Sequence, residues 1–126
     1  MIVRNTMIPA MKGNDTVVTN ILVKDGKIAG FLVNTECLEA DNIVDAQGNL
    51  TIPGCIDSHT HFMDPGFTHR ETFQTGTSQA VAGGVTTIID MPCCSFPRSV
   101  RCVSSLNEQL AAIKPQAVVD FALIFR

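Results

Sequence analysis

The stretch Pro53-Gly54-Cys55-Ile56-Asp57-Ser58-His59-Thr60-His61 decides how the rest of the chain is read. Pro-Gly opens it as a turn, Cys55 and Ile56 make an apolar approach, and it closes on two histidines at i and i+2. On a helix those rings would diverge. On a strand alternate residues share a face, so Asp57, His59 and His61 point the same way. Neutral imidazoles are common ligands of zinc and similar divalent ions, and two on one face can close on one ion. A bare His-x-His more often only hydrogen-bonds. Here the turn ahead of it and the carboxylate two residues upstream favour a metal pair, with Asp57 as the group that orients the rings.

Working outward, residues 51–126 alternate strand, helix, strand, helix, strand, the pattern of parallel βαβ units. Thr68-His69-Arg70-Glu71 fits a capping box and predicts a helix from Thr68, with Phe73, Ala80 and Val81 on one face and a stop at Gly83-Gly84. Val85–Asp90 reads as a buried parallel strand. A loop from Met91 to Arg98 follows, then a second helix carrying Val100, Val103, Leu106, Leu110 and Ile113 at helical spacing and ended by Lys114-Pro115. Ala117–Phe125 is the third strand. His69 is expected at the start of the first helix as a solvated residue, not as a ligand.

Residues 1–50 carry no catalytic pattern. They read as short strands at Ile2–Arg4, Val17–Val23, Lys27–Val33 and Ile43–Asp45, with Asp25-Gly26 as a hairpin turn, the start of a small all-β layer. The expected division is therefore 1–50 and 51–126.

The composition excludes several classes. A net charge of -3, a pI near 5.4 and no clustered Lys or Arg argue against a nucleic-acid surface. No run approaches the roughly 18 apolar residues of a membrane span. Five cysteines, Cys37, Cys55, Cys93, Cys94 and Cys102, form no repeating framework, and no charged and apolar leader opens the chain. Both features favour a reducing cytoplasm. Adjacent Cys93 and Cys94 are read as small apolar residues, since neighbours rarely form a comfortable disulfide.

Pro53-Gly54-x-Ile56-Asp57-x-His59-x-His61, followed by Asp64-Pro65-Gly66 and then by Ala82-Gly83-Gly84-Val85-Thr86-Thr87-Ile88-Ile89-Asp90-Met91-Pro92, resembles the cyclic amidohydrolases. More narrowly, it is similar to the dihydroorotase, allantoinase and hydantoinase group of the amidohydrolase superfamily. The resemblance implies an α/β fold: the first three strands of a metal-dependent (β/α)8 barrel, preceded by part of a small β-sandwich. A complete barrel takes about 250 residues, so the chain is expected to be an incomplete part of one. It implies hydrolysis of a cyclic amide C–N bond, with one or two divalent ions, zinc foremost, activating water for attack on the ring carbonyl. His59 and His61 would be ligands and Asp57 their support. The carboxylated lysine, two further histidines and the aspartate that moves the proton would lie beyond Arg126, so the chain alone is expected to be inactive.

Dihydroorotases carry an arginine two residues after the second histidine and an asparagine after Met-Pro, both holding the substrate carboxylate. Met63 and Cys93 stand at those substrate-pocket positions, and methionine lacks the forked donors a carboxylate needs. The resemblance therefore points to a small cyclic amide or ureide without a carboxylate, acted on by a protein that is a homo-oligomer at full length and engages neither nucleic acid nor membrane. A scaffold relative that has lost its ligands is the alternative, and the presence of both histidines counts against it.

Overall fold

The computed structural model describes residues 1–10, 12–33, 40–92 and 100–124. Cys37, Cys93 and Cys94 lie outside the described residues. The chain forms two compact units, Met1–Pro53 and Gly54–Arg126.

The first unit is one four-stranded sheet. Its strands are β1 (Ile2–Pro9), β2 (Thr16–Lys24), β3 (Lys27–Leu32) and β4 (Ile43–Asp45), in the order β3-β2-β1-β4. The predicted hairpin joins β2 to β3, with Asp25 (φ 51°) and Gly26 (φ 72°) both left-handed. That is the turn geometry whose twist matches an antiparallel pair. β1 runs past the expected Arg4 to Pro9, accommodating a bulge between Val3 and Thr6. Asn5 supplies the left-handed residue there (φ 52°), a conformation its short polar side chain tolerates.

β4 does not follow β3 in the sheet as it would in a simple meander. β4 lies parallel to β1, with Ile2 N–H donating to Asn42 O (2.9 Å) and Ala46 N–H to Arg4 O (2.8 Å) at the two ends of the ladder. The Asp45 carboxylate then accepts from Gln47 N–H (2.8 Å) and Asn5 Nδ2 (3.1 Å). Those two bonds, the Gln47 one foremost, hold the carboxyl below its ordinary range. A depressed carboxyl stabilises the fold above its unfolded pKa, and the contribution disappears as pH falls through the folded value. Asp45→Asn is therefore expected to melt lower than the wild type at neutral pH and at the same temperature in strong acid. An equal gap at both pH values would contradict this.

The second unit is mixed α/β. β5 (Cys55–Thr60), α1 (Phe73–Ala82), β6 (Val85–Asp90), α2 (Val103–Ile113) and β7 (Asp120–Leu123) follow in order, and the three strands make one parallel sheet, β5-β6-β7. Its core joins Phe62, Phe73, Ile88 and Ile113, with Val85, Val119, Phe121 and Leu123 packed against them. Gly54 is required at the mouth of β5, because a Cβ there would run into the Thr86 side chain.

Several boundaries move. α1 begins at Phe73, not at Thr68. The segment ahead of it is spent in turns, with Phe67 N–H on Met63 O (2.7 Å) and Arg70 N–H on Phe67 O (2.8 Å). The working cap is Thr72, whose hydroxyl accepts from Thr75 N–H (3.1 Å) while Thr75 Oγ accepts from Thr72 N–H (3.0 Å). His69 consequently lies in a turn before the helix, edge-on to Phe67. The left-handed residue that ends α1 is Gly84 (φ 86°); Gly83 (φ -86°) is not left-handed. Val81, expected on the buried face, is exposed, and Gly76 and Thr77 are buried instead.

On the second helix, Val100 is buried ahead of the helix and Val103 is 69% exposed. Gln109 takes an inward position. α2 ends at Ile113 with Lys114 as its cap, as Lys114-Pro115 predicts, and one 3-10 turn follows over Lys114–Gln116; proline fits its first residues because an N–H is dispensable there. β7 is confined to the four residues that oppose β6, Thr87↔Asp120 through Asp90↔Leu123, so it is shorter than the apolar run that announced it.

Candidate functional site

Parallel strands deliver side chains at their carboxyl ends, and the ends of β5 and β6 are neighbours. Thr60 pairs with Asp90, and Met91 N–H donates to Thr60 O (2.8 Å). His59 is the penultimate residue of β5, and His61 is the first residue beyond it. The i, i+2 spacing puts both rings on one side. Their Nε2 atoms are 3.0 Å apart, and the rings meet edge-on at 85°. Both residues are exposed.

The proton positions follow from the partners. His61 Nδ1 lies 2.8 Å from Met91 O. A carbonyl only accepts, so the neutral ring carries its proton on Nδ1 and turns the Nε2 lone pair toward His59. This is how metal-binding imidazoles are usually oriented, with one nitrogen donating to a carbonyl or carboxylate and the other left to ligate. Two nitrogens at about 2.0–2.1 Å from one tetrahedral zinc stand roughly 3.3 Å apart. The observed separation is a few tenths of an ångström shorter, so the pair fits a shared divalent ion. Among the described residues no group of three or more His, Cys, Asp or Glu side chains that could hold a metal ion is found.

Asp57 shares the strand face but bonds to main chain: its Oδ1 accepts from His59 N–H (3.2 Å). The ring nitrogen with a main-chain partner is His61 Nδ1, on the Met91 carbonyl. Met63, two residues beyond His61, is half-buried on the loop that leaves the site. Cys93 is outside the described residues.

Two carboxylates that the motif includes without a stated role, Asp64 and Asp90, bond to main chain around the site. Asp64 is buried, and its Oδ2 accepts from Phe73 N–H (3.0 Å), tying the loop after His61 to the start of α1. Asp90 is fully buried, and its Oδ1 accepts from Phe62 N–H (2.8 Å) and Thr60 Oγ (3.4 Å). Burial raises the Asp90 carboxyl above its ordinary value, and the Phe62 bond partly opposes that. A usable signal existed: each is an acidic residue beside an apolar run, a place where a charge is retained only if something bonds to it.

Two features lie apart from this site. A shallow groove of about 370 Å³, lined by Val81, Thr86 and Ala117–Asp120, opens at the other end of β6 and β7. The Cys102 thiol, at the start of α2, is lowered to about 7 by hydrogen bonds from Ser104 and Ser105.

Residues 50–122 match the Amidohydrolase family. The allantoinase of Salmonella choleraesuis is 42% identical over 109 residues, which are 86% of this chain and 23% of that protein. An allantoinase of Escherichia coli O1:K1 is 38% identical over the same shares. Among solved structures, the L-hydantoinase (dihydropyrimidinase) of Arthrobacter aurescens superposes with a TM-score of 0.83 at 34% identity, over 97% of this chain and 26% of that one. The chain thus spans about a quarter of the length of these relatives.

Proposed function

The chain belongs to the amidohydrolase family, and on that premise we propose that it supplies the first two metal ligands of an enzyme that hydrolyses the C–N bond of a cyclic amide or ureide. The observation that carries this reading is the convergence of His59 Nε2 and His61 Nε2 at 3.0 Å, with the His61 proton held on the opposite nitrogen by Met91 O.

In this reading the barrel is completed by further chain, and residues 1–50 form part of a β-sandwich. His59 and His61 hold a divalent ion of the zinc type, which when bound supplies Lewis-acid activation of water and of the ring carbonyl. Asp57 keeps the backbone under His59 fixed, and the Met91 carbonyl keeps the His61 proton away from the metal side. Met63 and Cys93 stand at the two sequence positions where dihydroorotases hold a carboxylate and neither is charged, so the substrate is a neutral ring such as allantoin or a hydantoin and not one recognised through a carboxylate. Allantoinase and hydantoinase relatives support that ring class. A working zinc site has three protein ligands and water; with two, this chain by itself binds metal weakly and gives no measurable turnover.

The test is a graft. The aligned residues of this chain replace their 109 counterparts in the Salmonella allantoinase, and ring opening of allantoin is followed. The graft is expected to turn over, and the graft carrying His61→Ala to lose more than the roughly 10–100-fold typical of losing a group that only orients a ligand. Equal activity of the two grafts would remove His61 from the reaction.

A further inference from the structure

We infer that Asp90 is a positioning residue for His61: together with Met91 it sets the tautomer and direction of that ring. The inference rests on the metal reading above but is argued from separate contacts. His61 is gripped on three sides by Asp90, the last residue of β6, and Met91, which follows it. The residue before it is tied by Met91 N–H to Thr60 O (2.8 Å) and by Thr60 Oγ to Asp90 Oδ1 (3.4 Å). The residue after it is tied by Phe62 N–H to Asp90 Oδ1 (2.8 Å). The ring itself donates from Nδ1 to Met91 O (2.8 Å). His61 lies just past the end of β5, between the two residues that Asp90 Oδ1 holds. Releasing Phe62 N–H frees the segment to turn, and the ring leaves the Met91 carbonyl.

The carboxyl is an unfavourable choice for any purely packing role. Asp90 is fully buried and its Oδ2 has no hydrogen-bond partner. An apolar residue of similar size would avoid the desolvation. What the carboxyl provides is Oδ1, the acceptor that meets Phe62 N–H and Thr60 Oγ at once. Because Oδ2 is unpartnered, asparagine keeps the working atom and loses only the orphaned one, whereas valine removes the acceptor.

The test uses the metal-free chain at a pH where the imidazoles are neutral, with ¹⁵N NMR of the His61 ring, followed by zinc titration. Wild type and Asp90→Asn are expected to show His61 protonated on Nδ1 and to bind zinc equally. Asp90→Val is expected to show a mixture of tautomers and about 10–100-fold weaker zinc binding. A residue serving stability alone would lower the melting temperature of Asp90→Val without moving the tautomer, and that result overturns the inference. Should Asp90→Val not fold, Asp90→Asn decides: retention of the Nδ1 proton supports the role of Oδ1, and a mixed tautomer overturns it. Failure of the metal reading is distinguishable. A wild-type chain with the Nδ1 proton in place that binds no zinc sinks the metal pair and leaves the positioning role standing.

Discussion

Phe73→Ala is expected to cost the second unit about 3–5 kcal/mol, the range for truncating a buried phenylalanine. Phe73 is fully buried at the first position of α1, and its ring meets both Phe62 and Phe121 edge-on at centroid distances of 5.1 Å. Each such pair adds about 0.5–1.5 kcal/mol beyond area burial. Phe121 belongs to β7 and Phe62 to the segment after β5, so one ring joins the helix to both outer strands. Whole domains are stable by only about 5–15 kcal/mol. The loss is therefore a large share of what a unit this small has, and urea unfolding followed by circular dichroism should show its transition shifted strongly or absent. A loss under about 1 kcal/mol, typical of a peripheral site, would mean that the core is organised elsewhere.

Gly76→Val sets two effects against each other. By helix propensity alone, replacing a mid-helix glycine should gain a few tenths of a kcal/mol. Packing opposes it: a Cβ at this position would overlap the Phe62 ring, with Cδ1 at 2.7 Å and Cζ at 2.9 Å. The ring cannot swing away freely, because Phe73 lies against it. Overpacking of this kind costs about 1–3 kcal/mol or more, so packing wins and the variant is expected to be destabilised. Phe62 directly follows His61, so displacement of its ring also disturbs the histidine, and zinc affinity should fall with stability. A variant more stable than the wild type would show that α1 does not rest on Phe62 through Gly76.

The parallel sheet was legible because its strands are apolar runs separated by helical spacing, and the histidine pair because i, i+2 on a strand has only one geometric reading. Helix starts were less so. Thr68-x-x-Glu71 and Thr72-x-x-Thr75 are both capping patterns, and the choice fell to Asp64, whose carboxylate accepts Phe73 N–H from nine residues upstream. No local rule contains that bond. The same holds for β4, which joins β1 in parallel through main-chain bonds that leave no mark on side-chain patterning. In the site, the residues that carry the metal reading were visible, but the atoms that orient them were not. Met91 acts through its carbonyl, which is independent of side-chain identity, and Asp90 acts across a strand pair, so neither lies within the motif that names His59 and His61.

Zinc titration of this chain beside His59→Ala and His61→Ala tests the metal pair most directly. One ion per chain is expected, with each alanine weakening binding by at least the roughly tenfold that losing even a ligand-orienting group costs. Undiminished binding after both rings are removed would place the metal elsewhere and contradict the assignment.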